Sequence, residues 1–94
     1  QDGRIQGLMK HAGAEALDAL EPLLSKVRRG PGLIERKRGI FYRKSKAFLH
    51  FHEDGAGLFA DMKLSGDGDY TRLRVSTAAE RKAFLTALKK ALAT

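Results

Sequence analysis

Three observations predict an α+β domain in which antiparallel strands lie between an N-terminal and a C-terminal helix. Leu17, Leu20, Leu24 and Val27 recur at helical spacing, with Leu23 widening the stripe. From Lys46 to Leu64 the residues alternate on both sides of the turn-forming tip Asp54-Gly55-Ala56-Gly57. A second helical run follows the capping signature Thr77-x-x-Glu80. Each helix carries a single apolar stripe, so both can cover the same face of a sheet of three to five strands, giving two layers. At 94 residues the chain reads as one domain over 1–94, with 1–13 a poorly ordered lead-in.

The elements follow in order. Asp18 with Glu21 resembles a capping box, and Pro22 is tolerated only in a first turn, so the first helix is predicted to begin near Asp18. Lys26, Arg28 and Arg29 suit its C-terminal dipole, and Gly30-Pro31-Gly32 stops it. Leu33–Lys37 and Ile40–Arg43 are short alternations around Arg38-Gly39, either one bulged strand or two tightly joined ones. Lys44 or Ser45 turns the chain into the hairpin. A symmetric hairpin tip pairs Glu53 with Leu58, His52 with Phe59, Phe51 with Ala60 and His50 with Asp61. Ser65–Asp69 is a loop by composition, and Tyr70–Val75 alternates again. Phe84, Leu85, Leu88 and Leu92 then mark the second helix.

Composition narrows the classes. The chain has no cysteine, which excludes a disulfide scaffold, thiol catalysis and thiolate metal sites and suits a reducing cytoplasm. No apolar run approaches the roughly 18 residues of a membrane span, and no signal-peptide pattern appears, so an intracellular protein without a membrane partner is expected. The net charge of +7 is concentrated: between Lys26 and Lys46 the only acid is Glu35. Such a block attracts phosphates or acidic partners as readily as it confers solubility.

The hairpin register sorts side chains onto two faces. Ala47, Leu49, Phe51, Ala60, Met62 and Leu64 form a core face. The opposite face receives Phe48, His50, His52, Phe59, Asp61 and Lys63, joined by Tyr70, Arg72 and Arg74 if the last strand lies beside Phe59–Leu64. Nothing in the chain is left to cover it, and three readings compete. In the first, Phe48, Phe59 and Tyr70 stack bases while Lys63, Arg72 and Arg74 hold phosphates of a nucleic acid, or meet an acidic protein. No RNA-recognition signature accompanies this composition. In the second, His50 and His52, on one side of a strand and roughly 6.5–7 Å apart at Cα, bind zinc or iron with Asp61 ligating or orienting a ring. The neighbouring cations oppose that metal. In the third the face is structural, with His50 paired to Asp61 and His52 stacked on Phe59, or it is buried in a homodimer.

Catalytic signals are absent. Ser25, Ser45, Ser65 and Ser76 lie in no nucleophile-elbow context, and Glu53 and Asp54 flank a solvated hairpin tip. Asp67 and Asp69 lack the glycine and distal glutamate of a calcium loop. The chain reads as a binding module and not as an enzyme.

The segment Arg38–Asp54 (RGIFYRKSKAFLHFHED), continued by Gly57–Asp61, resembles the body of a small bacterial protein family with no assigned activity. In element order, over residues 17–93, the chain is similar to the frataxin-like fold of the YjbR-type proteins. That likeness implies an antiparallel sheet with terminal helices and a DNA-binding role. Frataxins hold iron on an acidic ridge, which this basic chain does not possess.

Overall fold

The computed structural model describes residues 10–64 and 68–93. Of the lead-in expected to be poorly ordered over 1–13, residues 1–9 lie outside the described residues, as does part of the expected loop, residues 65–67. Residues 10–13 are instead ordered, as a short strand and the N-cap of the first helix. The described chain forms β1 (Lys10–His11), α1 (Ala14–Val27), β2 (Leu33–Lys37), β3 (Ile40–Arg43), β4 (Lys46–Asp54), β5 (Gly57–Met62), β6 (Thr71–Arg74) and α2 (Ala78–Leu92). This is the predicted α+β architecture with six antiparallel strands, one more than the expected maximum of five. Five run in the order β2-β3-β4-β5-β6, and the short β1 adds to β4.

The central hairpin takes the predicted register, with His50 opposite Asp61, Phe51 opposite Ala60 and His52 opposite Phe59. Asp54 Oδ1 accepts from the Ala56 N–H at 2.7 Å, closing the tip as an aspartate-initiated turn. Arg38-Gly39 joins two strands instead of interrupting one. Gly39 turns there at φ +82°, and a Cβ on it would stand 2.7 Å from Leu17 Cδ2, which only glycine avoids. Lys44 and Ser45, at φ 52° and 67°, make the next turn.

Helix α1 begins four residues earlier than Pro22 suggests, at Ala14. Pro22 is exposed on its solvent side, so the carbonyl left without a donor can be hydrated, and burial of Leu20, Leu23, Leu24 and Val27 outweighs the lost bond. Asp18 therefore caps nothing. It pairs with Arg38 at 2.8 Å, while the N-cap is Gly13, whose N–H donates to Glu53 Oε2 at 2.6 Å. In α2 the predicted capping box forms: Thr77 Oγ1 accepts from Glu80 N–H at 3.1 Å, and Glu80 Oε1 accepts from Thr77 N–H at 2.9 Å.

Both helices bury their stripes against one sheet face. Leu20, Leu24 and Val27 of α1 and Phe84 and Leu88 of α2 meet Phe41, Leu49, Phe51, Ala60 and Met62. Leu64, expected in the core, is 39% exposed because β5 ends at Met62. Phe48 makes the opposite correction. Phe41 faces Leu49 but Tyr42 faces Ala47, so Phe48 is the extra residue of a bulge. It leaves the open face and is buried in the core at 6% exposure, with the Arg43 guanidinium 5.7 Å from its ring centre.

Phe51 of β4 lies in the core between β3 and α2, its ring edge-on to Phe41 and to Phe84. Phe51→Ala is expected to cost about 3–5 kcal/mol, whereas truncating the exposed Ile34 to alanine should stay within about 0.5 kcal/mol. Urea unfolding measures both, and comparable losses would contradict this account of the core.

Candidate metal centre

The open face is built around β4. One edge of β4 pairs with β5 from Leu49 to Asp54; the other is shared by two strands placed end to end. Strand β3 covers β4 only as far as His50, opposite Ile40. There the chain of β3 has come from the turn at Gly39, whose carbonyl accepts from Phe51 N–H at 3.1 Å. Beyond that point β1 takes over: His11 lies opposite His52, Lys10 opposite Glu53, and Ala12 N–H donates to Phe51 O at 3.0 Å. Directly opposed residues share a face. His11, which the sequence pattern places in an unstructured lead-in, thus arrives on the same face as His50 and His52.

The three imidazoles form one cluster. Ring centres are 4.8 Å apart for His11 and His52 and 5.6 Å apart for the other two pairs. One nitrogen from each ring lies within 4.8 Å of the others. His11 is exposed, while His50 and His52 are half-buried. His50 Nε2 is 2.9 Å from Tyr70 Oη, and the Tyr70 ring packs at 4.6 Å against that of His50. His52 Nε2 is 3.3 Å from Asp61 Oδ2. Asp61 is itself gripped by Arg72 through two parallel bonds, Nε to Oδ1 and Nη2 to Oδ2, both 2.7 Å. Lys63 Nζ lies 5.1 Å over the Tyr70 ring.

Burial first, and then the other two rings, hold the His50 pKa below the ordinary histidine value. Burial likewise lowers that of His52, although Asp61 pulls the other way. The Arg72 guanidinium keeps Asp61 below the usual carboxylate range, so it stays ionised. At neutral pH His50 and His52 are therefore neutral imidazoles beside a neutralised Asp61–Arg72 pair. Neutral imidazole is the metal-binding form. Both ring nitrogens of His52 are buried without a hydrogen bond of good geometry; Asp61 and the Lys10 main chain are near, but neither is aligned. A buried ring left so is costly unless something else takes its lone pair.

Of the residues singled out in the sequence, His50, His52 and Asp61 come together, and Lys63, Tyr70 and Arg72 border them. Phe59 is half-buried between His52 and Arg74 in the register. Arg74 is drawn away: it donates to Ala56 O at 2.8 Å and to Glu80 Oε2 at 3.2 Å, tying the hairpin tip to the start of α2. Phe48 is in the core. His11 escaped the sequence reading because two residues of strand leave no periodicity to detect. A signal did exist, since the chain has three histidines and all three are here.

Because the folded-state pKa values of His50 and His52 are depressed, the unfolded chain binds protons more readily than the native one. Their contribution to stability is complete above about pH 6.5 and is lost as pH falls below it toward the folded-state values. The thermal midpoint is expected to decline on acidification from pH 7 to 5, and His50→Gln should flatten the decline. A wild-type midpoint constant across that interval would contradict the assignment.

Compared with known protein families, with curated proteins and with solved structures, the chain matches none.

Proposed function

We propose that this domain binds one divalent transition-metal ion, zinc by preference, through His11, His50 and His52. The observation that carries this reading is the convergence of every histidine of the chain, from strands distant in sequence, on one patch of an open sheet face. Three nitrogens bound to zinc at about 2.0–2.1 Å stand about 3.3 Å from one another. Separations of up to 4.8 Å close to that value by rotation of the rings and a small shift of the short, exposed β1.

The groups behind the rings support the same reading. A ligating histidine commonly gives its second N–H to an oxygen that fixes the tautomer. Tyr70 Oη stands at that position for His50, and the Asp61 carboxylate, 3.3 Å from His52 Nε2, would take it for His52 once that ring turns into line. Asp61 itself makes a poor direct ligand, since Arg72 engages both of its oxygens. That argues against a two-histidine, one-carboxylate iron site and for three neutral nitrogens, a set that zinc accepts with a fourth position open.

The reading in which the face grips a polyanion draws less support. Phe48 is in the core, Arg72 is committed to Asp61 and Arg74 to Glu80 and Ala56. Part of the basic block is likewise paired: Arg28 holds Glu21 and Glu35, and Arg38 holds Asp18 and Glu21.

Isothermal titration of metal-free protein with Zn²⁺ is expected to give one ion per chain. Alanine at His11, His50 or His52 should weaken binding by about 100-fold or more, and Tyr70→Phe by roughly 10-fold. Arg74→Ala should leave it unchanged. Zinc uptake that survives each histidine replacement would refute the proposal.

A further inference from the structure

The charge around the three histidines leads one step beyond the metal reading and rests on it. Protein zinc sites commonly offset the ion's two charges with thiolates or carboxylates. Here the three ligands are neutral rings, and the chain has no cysteine. The carboxylate at hand, Asp61, is already balanced by the bidentate Arg72. Asp54 is the other acid whose field reaches Arg72. On the His50 side stands Lys63, which forms no ion pair among the described residues and whose charge is felt at His50. A divalent ion placed among these rings would carry its full charge with Lys63 beside it and an open coordination position on the exposed side of a sheet.

We infer that the metal-loaded face binds a small oxyanion, a phosphate or carboxylate group, whose one oxygen becomes the fourth metal ligand while Lys63 meets another. Three features point to this ligand class. The uncompensated charge favours an anion over a neutral donor. Tyr70 holds Lys63 over its ring face and touches His50 with its hydroxyl, so the cation is kept at the rim of the centre. Arg72 is less suited to the role, since its Nε and Nη2 are engaged by Asp61, which already balances its charge. The cations that seem to oppose a metal when the sequence is read alone thus take on separate roles. Arg72 neutralises the acid behind His52, and Lys63 serves the anion. No covalent bond of the anion is made or broken in this step; it replaces a metal-bound water.

Cobalt(II) in place of zinc makes both events visible, because its visible absorption reports loading and then changes when the fourth ligand is exchanged. The full chain, loaded with one equivalent of Co²⁺, is titrated with inorganic phosphate in one series and acetate in another, each at constant ionic strength. A saturable spectral change in either series is expected, and which series responds at the lower concentration separates the two sources of the oxyanion. Lys63→Met should weaken that response by about tenfold with cobalt loading unchanged, and Lys63→Arg should restore most of it. A loaded protein whose spectrum ignores both anions would overturn the inference while leaving the metal reading intact. So would metal-free protein that binds phosphate equally well by calorimetry. Failure of cobalt to load would remove both.

Discussion

Strand β4 must be hydrogen-bonded along both of its edges, and most of the remaining structure is a consequence of how that is done. A nine-residue strand in the middle of a sheet presents main-chain donors and acceptors on two sides, and each must find a partner. Phe51 is the point where two short strands divide one edge between them. Its N–H donates to Gly39 and its carbonyl accepts from Ala12. Its side chain meanwhile packs against Phe41 and Phe84, so the same residue locks the sheet edge and the core. Once β1 is held against β4, the start of α1 follows, because Gly13 N–H reaches Glu53 two residues farther along β4. The carboxylate also favours the positive end of the helix dipole.

That arrangement explains how a cluster of rings arises on an uncovered face. Two histidines two apart on β4 leave one side of the pair vacant where β3 ends, and β1 fills it with His11. The cluster is costly to build, since both ring nitrogens of His52 are buried without aligned partners. A metal ion would offset that cost through its own bonds, which is the physical link between the fold and the function proposed for it.

Charge is also set by which elements become neighbours. The basic run from Lys26 to Lys46 looks in the sequence like a surface awaiting a polyanion. In the fold, Arg28 and Arg38 are brought to the acids of α1 and β2, and Glu35 also accepts from Gly39 N–H at 2.9 Å. Such exposed pairs contribute little stability one by one. Their effect is on the field: they cancel part of the block's charge and fasten the β2–β3 turn to the first helix. Arg43, directed onto the last carbonyls of α2 at 3.2 and 3.3 Å, similarly serves a helix end.

The fold class, the central hairpin with its register, the second helix with its capping box, and the face shared by His50, His52 and Asp61 are all legible in the residues alone. These features rest on periods of two and 3.6 residues and on turn chemistry, which are local and therefore written in consecutive residues. Other features required the assembled chain. The bulge at Phe48 comes from the offset between β3 and β4, and no pattern within β4 alone encodes it. Helix α1 runs past Pro22 because packing of its leucines overrides a local preference. The pairing of Arg72 with Asp61 and of Arg74 with Glu80 depends on which strands and helix become neighbours. His11 is the sharpest case: two residues of strand carry no signal of their own, and what gives them a place is the length of β4 that β3 leaves unpaired.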